Sequence, residues 1–481
     1  MDLKKQAISG MFWVFVDTFL LKGISFLGTI LLARLLSPED FGLIAMISVI
    51  LVIGVIVVDS GLTSSLIRNP KNESIDYSTV FYTNVFLSLF LYLCFYLLAP
   101  VIANFYNQEI LVSVIRIYSL CFFCSGLSSV QTAILIKNME FKKIAYLNIP
   151  GSLLGIFIGL LMGYYGFGVW SIVGMYVSTQ LIQMLALWIG TKWRPKFEFS
   201  IEKLKYHYSF GFKLFISSMV TSVMSNIYNV VIGKFYSLKT TGYFDRGNML
   251  TQYPVTILTQ IIGKVTFPLM SGIQEEKDRL KQIFEKLVNF TFFVTAPIMI
   301  GLSAVAKPLI HLILGEEWLP AVPIIEILSI GGVFFTLQAL NVNILKIYGR
   351  SDLILSAEII LKIIMVISVV IAYFFGFYAI VWCVSINSFI TLIANMYCSN
   401  KVIPFSIWDQ IKTMFPILAA SLLMFTSIKG IQFFCVGMPP LYELLLLSSS
   451  GFVFYFIFSY LFKIPSLFFL WEIIRKKISK N

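Results

Sequence analysis

Long apolar stretches, each the length of a membrane-spanning helix, recur along the whole chain. A spanning helix needs about 20 mostly apolar residues, because no group in the lipid core can hydrogen-bond an open backbone. Roughly fourteen such stretches can be marked, at residues 11–33, 41–62, 79–99, 110–136, 145–163, 169–190, 211–232, 249–268, 287–306, 321–345, 353–374, 378–398, 412–429 and 443–462. Short loops connect them, so the pattern predicts an all-α integral membrane protein without a separate soluble domain.

Composition agrees with this pattern. Of 481 residues, 58% are hydrophobic and only 12% are charged, which lies far outside the balance of a soluble domain. The first stretch follows Lys4 and Lys5. It is too long for a signal peptide and lacks a small-residue cleavage site, so we expect it to be retained as a spanning helix.

The positions of the basic residues predict the orientation of the chain. A net charge of +12 could by itself suggest nucleic acid as a partner. With the N-terminus in the cytoplasm, however, the cytoplasmic segments hold about 25 of the Lys and Arg residues and the external segments hold about 6. This positive-inside asymmetry places both termini in the cytoplasm and argues against nucleic acid. The basic tail, 475–480, is then expected to contact anionic phospholipid headgroups.

The two halves of the chain resemble each other. The run Ala33-Arg34-Leu35-Leu36-Ser37 returns as Gly233-Lys234-Phe235-Tyr236-Ser237, followed in each half by a second match, Gly42-Leu43 and Gly242-Tyr243. Further along, Gly166-Phe167 returns as Gly376-Phe377. Each match alone is weak, and their collinear order is the evidence for a repeat.

An even number of helices in each repeat means that both halves enter the membrane from the same side. Such a parallel repeat places the transport site between the halves. We therefore predict two pseudo-symmetric six-helix bundles with two additional C-terminal helices. The predicted boundaries are 1–191 for the first lobe, 192–210 for a cytoplasmic linker, 211–400 for the second lobe, and 401–481 for the last two helices and the basic tail.

Polar residues within three predicted spans form the candidate site. Ionisable groups in a spanning helix are costly unless they face protein or water, so each is a functional candidate. Thr18, Lys22, Ser25 and Thr29 share one face of the first helix, with Asp17 beside them. The seventh and eighth helices also carry hydroxyl, amide and basic groups. The candidate substrate-binding residues are Lys22, Lys264, Arg246, Lys213, Thr18, Ser25, Ser222, Asn229, Gln252 and Thr256.

Two interpretations of these polar residues compete. Small polar residues commonly hold helices together, and this is the simpler explanation for any single Ser or Thr. For the whole set we favour a water-filled cavity, in which the lysines would attract an anion and repel cations.

Other charged residues give weaker signals. Asp17, Glu326, Glu358 and Lys362 are candidates for ion coupling. Glu358 and Lys362 are spaced for a local i,i+4 ion pair, and Glu326 is either a buried ion-pair partner or a proton-coupling carboxylate. Ser37-Pro38-Glu39-Asp40 is interpreted as a loop and helix start in preference to an acidic catalytic pair.

No motif for a cofactor or for covalent catalysis is found. Cys121 and Cys124, one helical turn apart within an apolar run, are expected to be buried thiols. His207 and His311 are too far apart in sequence to suggest a metal site, and the sequence lacks the GxxxxGK[ST] motif of a nucleotide-binding loop. We expect neither a cofactor nor a catalytic residue.

Several segments together resemble a known family. They are Leu31-Leu32-Ala33-Arg34-Leu35-Leu36-Ser37-Pro38-Glu39-Asp40-Phe41-Gly42, Asp59-Ser60-Gly61-Leu62, Ile232-Gly233-Lys234, Thr241-Gly242-Tyr243, Phe267-Pro268, Leu314-Gly315-Glu316-Glu317-Trp318 and Gly349-Arg350-Ser351-Asp352. The pattern resembles the polysaccharide transporters of the multidrug/oligosaccharidyl-lipid/polysaccharide flippase superfamily, especially the exporters of lipopolysaccharide, O-antigen and exopolysaccharide repeat units.

The resemblance implies a fold and a function. Such proteins have two six-helix bundles around a central cavity and flip undecaprenyl-pyrophosphate-linked oligosaccharides across the bacterial inner membrane by alternating access. Basic cavity residues are thought to bind the pyrophosphate, and Lys22 and Lys264 lie on suitable helices. The second helix lacks a central basic residue, which argues against lipid II as the substrate. Polysaccharide polymerase machinery is a possible partner.

Two alternative functions remain open at this point. A multidrug or cation exporter of the same superfamily would need an acidic or aromatic cavity. A membrane-embedded polysaccharide polymerase or ligase would need a long external loop with convergent catalytic groups, whereas the external loops here are short.

The predicted topology can be tested with reporter fusions. A reporter in the loop at Lys239 should lie outside and one at the C-terminus should lie in the cytoplasm, because an odd number of spans separates the two positions. Alkaline phosphatase and green fluorescent protein fusions should therefore give opposite signals. The same side for both positions would contradict the fourteen-span topology.

Overall fold

The computed structural model describes residues 22–478, apart from the side chains of residues 264, 265, 268, 473, 474 and 476–478. The chain is an all-α membrane protein. A 3-10 helix spans Glu316–Ala321. The α-helices within the described range are α1 (Lys22–Ala33), α2 (Pro38–Asp59), α3 (Leu62–Arg68), α4 (Ser74–Tyr106), α5 (Ile110–Tyr118), α6 (Cys121–Lys137), α7 (Phe141–Tyr164), α8 (Val169–Gly190), α9 (Ile201–Phe235), α10 (Leu238–Ser271), α11 (Lys277–Ala304), α12 (Ala306–Ile313), α13 (Val322–Ile347), α14 (Ser351–Tyr373), α15 (Phe377–Asn400), α16 (Ile407–Phe434), α17 (Pro440–Leu461) and α18 (Pro465–Ile478).

Twelve spans within the described residues are long and apolar enough to cross a membrane. One of them, Ile110–Lys137, consists of α5 and α6 and is interrupted at Ser119 and Leu120. The first predicted span begins outside the described residues. The eighth lies within α10, which is 34 residues long but is not among the twelve, because its hydroxyl and amide groups lower its hydropathy. The count of fourteen stays a prediction.

By its internal contacts the chain divides into unit 1, Met1–Gly242, and unit 2, Tyr243–Asn481. Helix α9, which the sequence assigned to the second bundle, packs on α2, α3 and α4 in unit 1. It begins at Ile201, where the hydroxyl of Ser200 accepts a hydrogen bond from the Lys203 N–H. The second half of the predicted linker is therefore helix. The division into two six-helix lobes stays a prediction.

The core of unit 1 lies among α2, α4, α5, α6 and α8. Apolar side chains from these helices, including Ile47, Leu111 and Phe122, are completely buried. Helices α7 and α8 pair more tightly, through glycines spaced one turn apart on α7. A Cβ atom added to Gly155 would lie 1.9 Å from Thr179 Oγ1. In lipid, where burial of apolar surface gives little drive for association, this close packing holds helices together.

The start of α2 confirms the interpretation of residues 37–40 as a helix start. Ser37 is the N-cap, and the Asp40 carboxylate accepts hydrogen bonds from the Ser37 N–H at 3.1 Å and from its hydroxyl at 2.9 Å. The equivalent residue of the repeat, Ser237, caps α10 by accepting a hydrogen bond from the Thr240 N–H at 3.2 Å.

The two repeated helix starts contact each other within unit 1. A Cβ atom on Gly42 would lie 2.2 Å from Leu238 O, and one on Gly242 would lie 1.9 Å from Pro38 O. Beside them, Lys239 Nζ lies 3.2 Å from a Glu39 carboxylate oxygen. Corresponding positions of the repeat thus meet reciprocally, as they do at a twofold interface.

The core of unit 2 lies among α11, α13, α15, α16, α17 and α18. Phe292, Leu337 and Ile417 are completely buried there, and the Tyr455 hydroxyl ties α17 to α11 by donating to Phe293 O at 2.7 Å. Helix α14 packs mainly on α15. Most of its apolar side chains are left uncovered by protein, which is the character of a lipid-facing helix.

Gly42→Ala should destabilise the protein by about 1–3 kcal/mol, the usual cost of forcing a group into a filled space. The obstacle is the backbone carbonyl of Leu238, which cannot rotate away as a side chain would. Thermal unfolding of the purified protein in detergent, followed by tryptophan fluorescence, should show a lower midpoint.

Gly430→Ala is the matched control, because a Cβ atom there would meet no described atom of another helix within 4 Å. Replacing glycine by alanine in an open helical position should stabilise by roughly 0.5–1 kcal/mol. Equal midpoints for the two variants would contradict the close approach at Gly42.

Candidate functional site

Helix α9 is anchored at both ends and uncovered between them. Near its start His207 and Gly211 are buried, and near its end Tyr228, Asn229, Ile232 and Gly233 are buried. Between these anchors, none of residues 212–227 is buried. At the second anchor, Lys234 Nζ donates a hydrogen bond to Phe105 O on α4. The uncovered stretch is the one that carries most of the predicted polar face.

The hydroxyl and amide groups of this stretch bond mainly to their own helix. Thr221 Oγ1 donates to Ser217 O at 2.8 Å, and the Asn226 amide donates to Ser222 O at 2.9 Å. An interhelical contact, Ser48 Oγ to Asn226 Oδ1, lies at the long distance of 3.5 Å. Polar residues that hold helices together bond across the interface. These groups face outward instead, which is the arrangement expected of a cavity wall.

Helix α1 places two predicted residues in exposed positions. Lys22 and Ser25 are exposed, whereas Thr29 is buried and its hydroxyl donates to Ser25 O and Phe26 O. Among the described residues Lys22 makes no ion pair. Thr18 and Asp17, the other predicted residues of this helix, lie outside the described range.

Lys213 on α9 is exposed, like Lys22. Ser222 is half-buried on the uncovered stretch, whereas Asn229 belongs to the anchor near the end of α9 and is buried there. Of the predicted α9 residues, Lys213 and Ser222 therefore lie on the open part of the helix, whereas Asn229 is buried within the second anchor.

On helix α10, the predicted cationic residue Arg246 is paired with a carboxylate. The Arg246 guanidinium lies 2.6 Å from the carboxylate of its neighbour Asp245, and only 12% of its side chain is exposed. Its positive charge is therefore balanced locally. Gln252 and Thr256 are half-buried. Lys264 lies on the same helix, with its side chain outside the description.

Glu326 has an ion-pair partner in unit 2. Its carboxylate lies 3.0 Å from Lys429 Nζ on α16, at a cavity of about 320 Å³ that also includes Lys307, Gln432 and Glu443. The Gln432 amide donates to Glu443 at 3.0 Å. Glu326 is therefore ion-paired but only partly buried, and a proton-coupling role for it stays a prediction.

Within the described residues Glu358 and Lys362, although spaced for a local ion pair, do not form one. Glu358 is exposed and Lys362 is half-buried on α14. The i,i+4 spacing brings two side chains within reach, but an exposed pair gains little from contact and loses side-chain freedom. Both residues stay candidates for coupling without structural support.

A buried polar cluster in unit 1 was missed by the sequence analysis. His207, considered there only as a metal ligand, lies between Asp76 of α4 and Ser65 of α3, 3.0 Å from a carboxylate oxygen and 2.8 Å from the hydroxyl. The sequence does show two basic residues, Lys203 and His207, four positions apart near the start of a span. This spacing indicates a shared helix face, but it does not reveal the distant partners on that face.

The described residues include no group of three or more His, Cys, Asp or Glu that could hold a metal ion. Cys121 and Cys124 are buried free thiols, which confirms the interpretation of the CxxC spacing. Unit 2 also contains a largely apolar cavity of about 580 Å³ between α10, α11, α16 and α18, with Lys286 in its lining.

Comparison with known proteins identifies relatives over most of the chain. Residues 31–323 match the profile of the family described as "Polysaccharide biosynthesis protein". Teichuronic acid biosynthesis protein TuaB of Bacillus subtilis is 27% identical over 73% of this chain and 73% of its own length. Lipopolysaccharide biosynthesis protein WzxC of Escherichia coli is 24% identical over 69% of this chain and 68% of its own length.

The fold also matches a solved structure. Lipid II flippase MurJ, in an inward closed conformation, superposes with a TM-score of 0.76 at 17% sequence identity, covering 94% of this chain and 98% of that chain. At this identity the likeness shows the fold alone.

Cysteine labelling should distinguish a cavity wall from a lipid-facing surface. In a background without native cysteines, Ser218→Cys on α9 should react readily with a charged methanethiosulfonate reagent, because thiolates form only where water is present. Leu97→Cys on α4 is the matched control, since Leu97 is 73% exposed but lies on an apolar surface. Equally slow labelling at both positions would contradict the cavity.

Proposed function

Because the chain belongs to the polysaccharide biosynthesis protein family, we propose that it moves a lipid-linked, anionic oligosaccharide across the bacterial inner membrane. The substrate class is an oligosaccharide repeat unit on undecaprenyl pyrophosphate, destined for a surface polysaccharide such as an O-antigen. The mechanism is alternating access without covalent chemistry, so the protein is a transporter and not an enzyme.

The observation that carries this proposal is the uncovered stretch 212–227 of α9. Six of its sixteen residues carry hydroxyl or amide groups, Lys213 is exposed, and the stretch contains no Asp or Glu. Hydroxyl groups match the hydrogen-bonding capacity of sugars, and fixed cations compensate a pyrophosphate for the water that it loses on entering a cavity. An exporter of cationic drugs would need acidic groups on such a face.

Lys22 and Lys264 are proposed to hold the pyrophosphate of the carrier. Lys22 is exposed on α1, so its ammonium group is accessible to a ligand. Arg246 is a weaker candidate than it was from sequence, because Asp245 already balances it. Binding that favours one conformation over the other would drive the alternation.

The remaining proposals concern the surroundings of the chain. Both termini lie in the cytoplasm, and the basic tail contacts anionic phospholipids of the inner leaflet. Polysaccharide polymerase machinery is the proposed protein partner. The driving force is the membrane potential or an ion gradient, since moving one charge through 100 mV supplies about 2.3 kcal/mol.

Reconstitution tests the function directly. The purified protein should be placed in liposomes that carry a fluorescent undecaprenyl-pyrophosphate oligosaccharide on both leaflets. A glycosidase added outside should cleave about half of the label in empty liposomes, and nearly all of it when the protein returns inner-leaflet substrate to the outside. Cleavage that stops at the empty-liposome level would contradict the proposal.

Lys22→Ala and Lys264→Ala should each slow this flipping about tenfold or more, because a buried anion loses a compensating charge. Arginine at either position should retain more activity than alanine, since it keeps the positive charge. The rates should be compared at equal protein content of the liposomes.

Lys71→Ala is the matched control, because Lys71 is exposed in the loop between α3 and α4. Lys137, another basic residue outside the candidate site, is unsuitable as a control. It is the last residue of α6, and its Nζ donates to Asn69 O at 2.6 Å. Wild-type flipping by both alanine variants at Lys22 and Lys264 would show that these lysines do not bind the pyrophosphate.

A further inference from the structure

One imidazole ring connects three helices of unit 1. His207 Nε2 on α9 lies 3.0 Å from Asp76 Oδ1 on α4, and its Nδ1 lies 2.8 Å from Ser65 Oγ on α3. The second oxygen of Asp76 accepts from the Glu73 N–H at 2.8 Å and lies 3.3 Å from Lys203 Nζ. His207 and Asp76 are completely buried, and Ser65 is 3% exposed.

The backbone of α9 touches its neighbours one turn beyond His207. A Cβ atom on Gly61, which follows α2, would lie 2.3 Å from Gly211 O. On the adjacent α3, the Arg68 guanidinium lies over the Phe210 ring at 4.2 Å from its centroid. The ring of His207 and this glycine contact are thus two neighbouring attachments of α9 to the same part of unit 1.

The segment before α9 is attached to α4 as well. The Lys196 N–H donates to Ser78 Oγ and the Ser200 N–H donates to Thr79 Oγ1, both at 3.1 Å. Ser78 and Thr79 are completely buried. Together with Asp76 they form a row of buried polar groups in the first turns of α4. This row binds both the segment before α9 and the first turns of α9.

The cluster is not a hydrolytic triad, although it contains a serine, a histidine and an aspartate. A substrate cannot reach the Ser65 hydroxyl, because all three side chains are enclosed. A buried polar cluster is stable only while every member keeps its partners. It therefore favours one arrangement of the three helices, whereas apolar side chains would tolerate several.

We propose that His207 is a positioning residue for transport. By joining Asp76 and Ser65 it sets the rotation and height of the start of α9, so that the stretch 212–227 presents its hydroxyl face to the substrate path. The link to transport rests on the proposed function; the positioning of α9 does not.

The test measures the rate at which Ser218→Cys is labelled in the background without native cysteines. The rate is compared between the parent, His207→Leu and His207→Gln. Leucine fills the space but removes the histidine partner of Asp76 Oδ1 and of the Ser65 hydroxyl. Labelling should slow about tenfold, the shift in equilibrium that one buried unpaired polar group produces. Glutamine can donate to Asp76 and accept from Ser65. It should stay within about twofold of the parent.

A second labelling position distinguishes a shift of α9 from a general loss of packing in unit 1. Ile115→Cys reports on the core of unit 1, away from the cluster, where Ile115 is completely buried. Its labelling should remain slow in both His207 variants. If His207→Leu accelerates labelling at Ile115→Cys, or leaves Ser218→Cys unchanged, the positioning role is wrong. If His207→Leu does not accumulate in membranes, Ser65→Ala replaces it; a smaller slowing at Ser218→Cys is expected, and none would overturn the proposal.

The liposome assay tests whether the position of α9 affects transport. His207→Gln should flip the lipid-linked oligosaccharide at close to the parental rate, and His207→Leu about tenfold more slowly at equal protein content. Slower labelling with unchanged flipping would overturn the link to transport. Absence of flipping by the parent protein would overturn the proposed function and leave the labelling result to decide the positioning of α9.

Discussion

A chain inside a lipid bilayer must satisfy every backbone N–H and C=O by itself, since lipid offers no partner. This constraint makes the protein helical throughout its spans and leaves its side chains to decide everything else. Once the backbone is satisfied, each polar side chain in a span needs a partner, water or a place at the membrane surface. Here His207 has protein partners, whereas most of the hydroxyl groups between residues 212 and 227 are exposed.

Close backbone contact at glycine is the first consequence. Lipid tails are as apolar as leucine, so helices associate through packing and hydrogen bonds. Gly155 against Thr179, Gly42 against Leu238, and Gly61 against Gly211 are three such contacts. The second of them belongs to the contact between the two repeated helix starts. Segments that correspond in the sequence repeat therefore also touch each other within unit 1.

Helix α9 shows both fates of polar groups in one element. Near its start, His207 is enclosed, with both ring nitrogens partnered. Further along, Thr221 and Ser225 are exposed, and their hydroxyls donate to backbone carbonyls of the same helix. A cavity wall needs groups that are free to exchange partners with a passing substrate, and such a wall needs a firm attachment elsewhere. The enclosed cluster supplies that attachment, so we regard the start of α9 and the uncovered stretch 212–227 as parts of one functional unit.

The sequence by itself determined whatever depends on neighbours along the chain. The apolar runs predicted the spanning helices, Ser37 and Asp40 predicted the start of α2, the CxxC spacing predicted buried thiols, and the short motifs indicated the family. These features follow from local hydrogen bonding and from the length of a span, which a single sequence displays.

Only the tertiary structure decided which distant groups meet. Asp76 and His207 are separated by 131 positions, and Glu326 and Lys429 by 103; no local pattern shows that such residues will be partners. It also assigned α9 to unit 1, because glycine contacts and a buried imidazole attach it there, whereas the sequence repeat alone placed it with the second half. The i,i+4 spacing of Glu358 and Lys362 likewise does not decide whether the two side chains pair. Spacing brings two side chains within reach, but their surroundings decide whether contact is favourable.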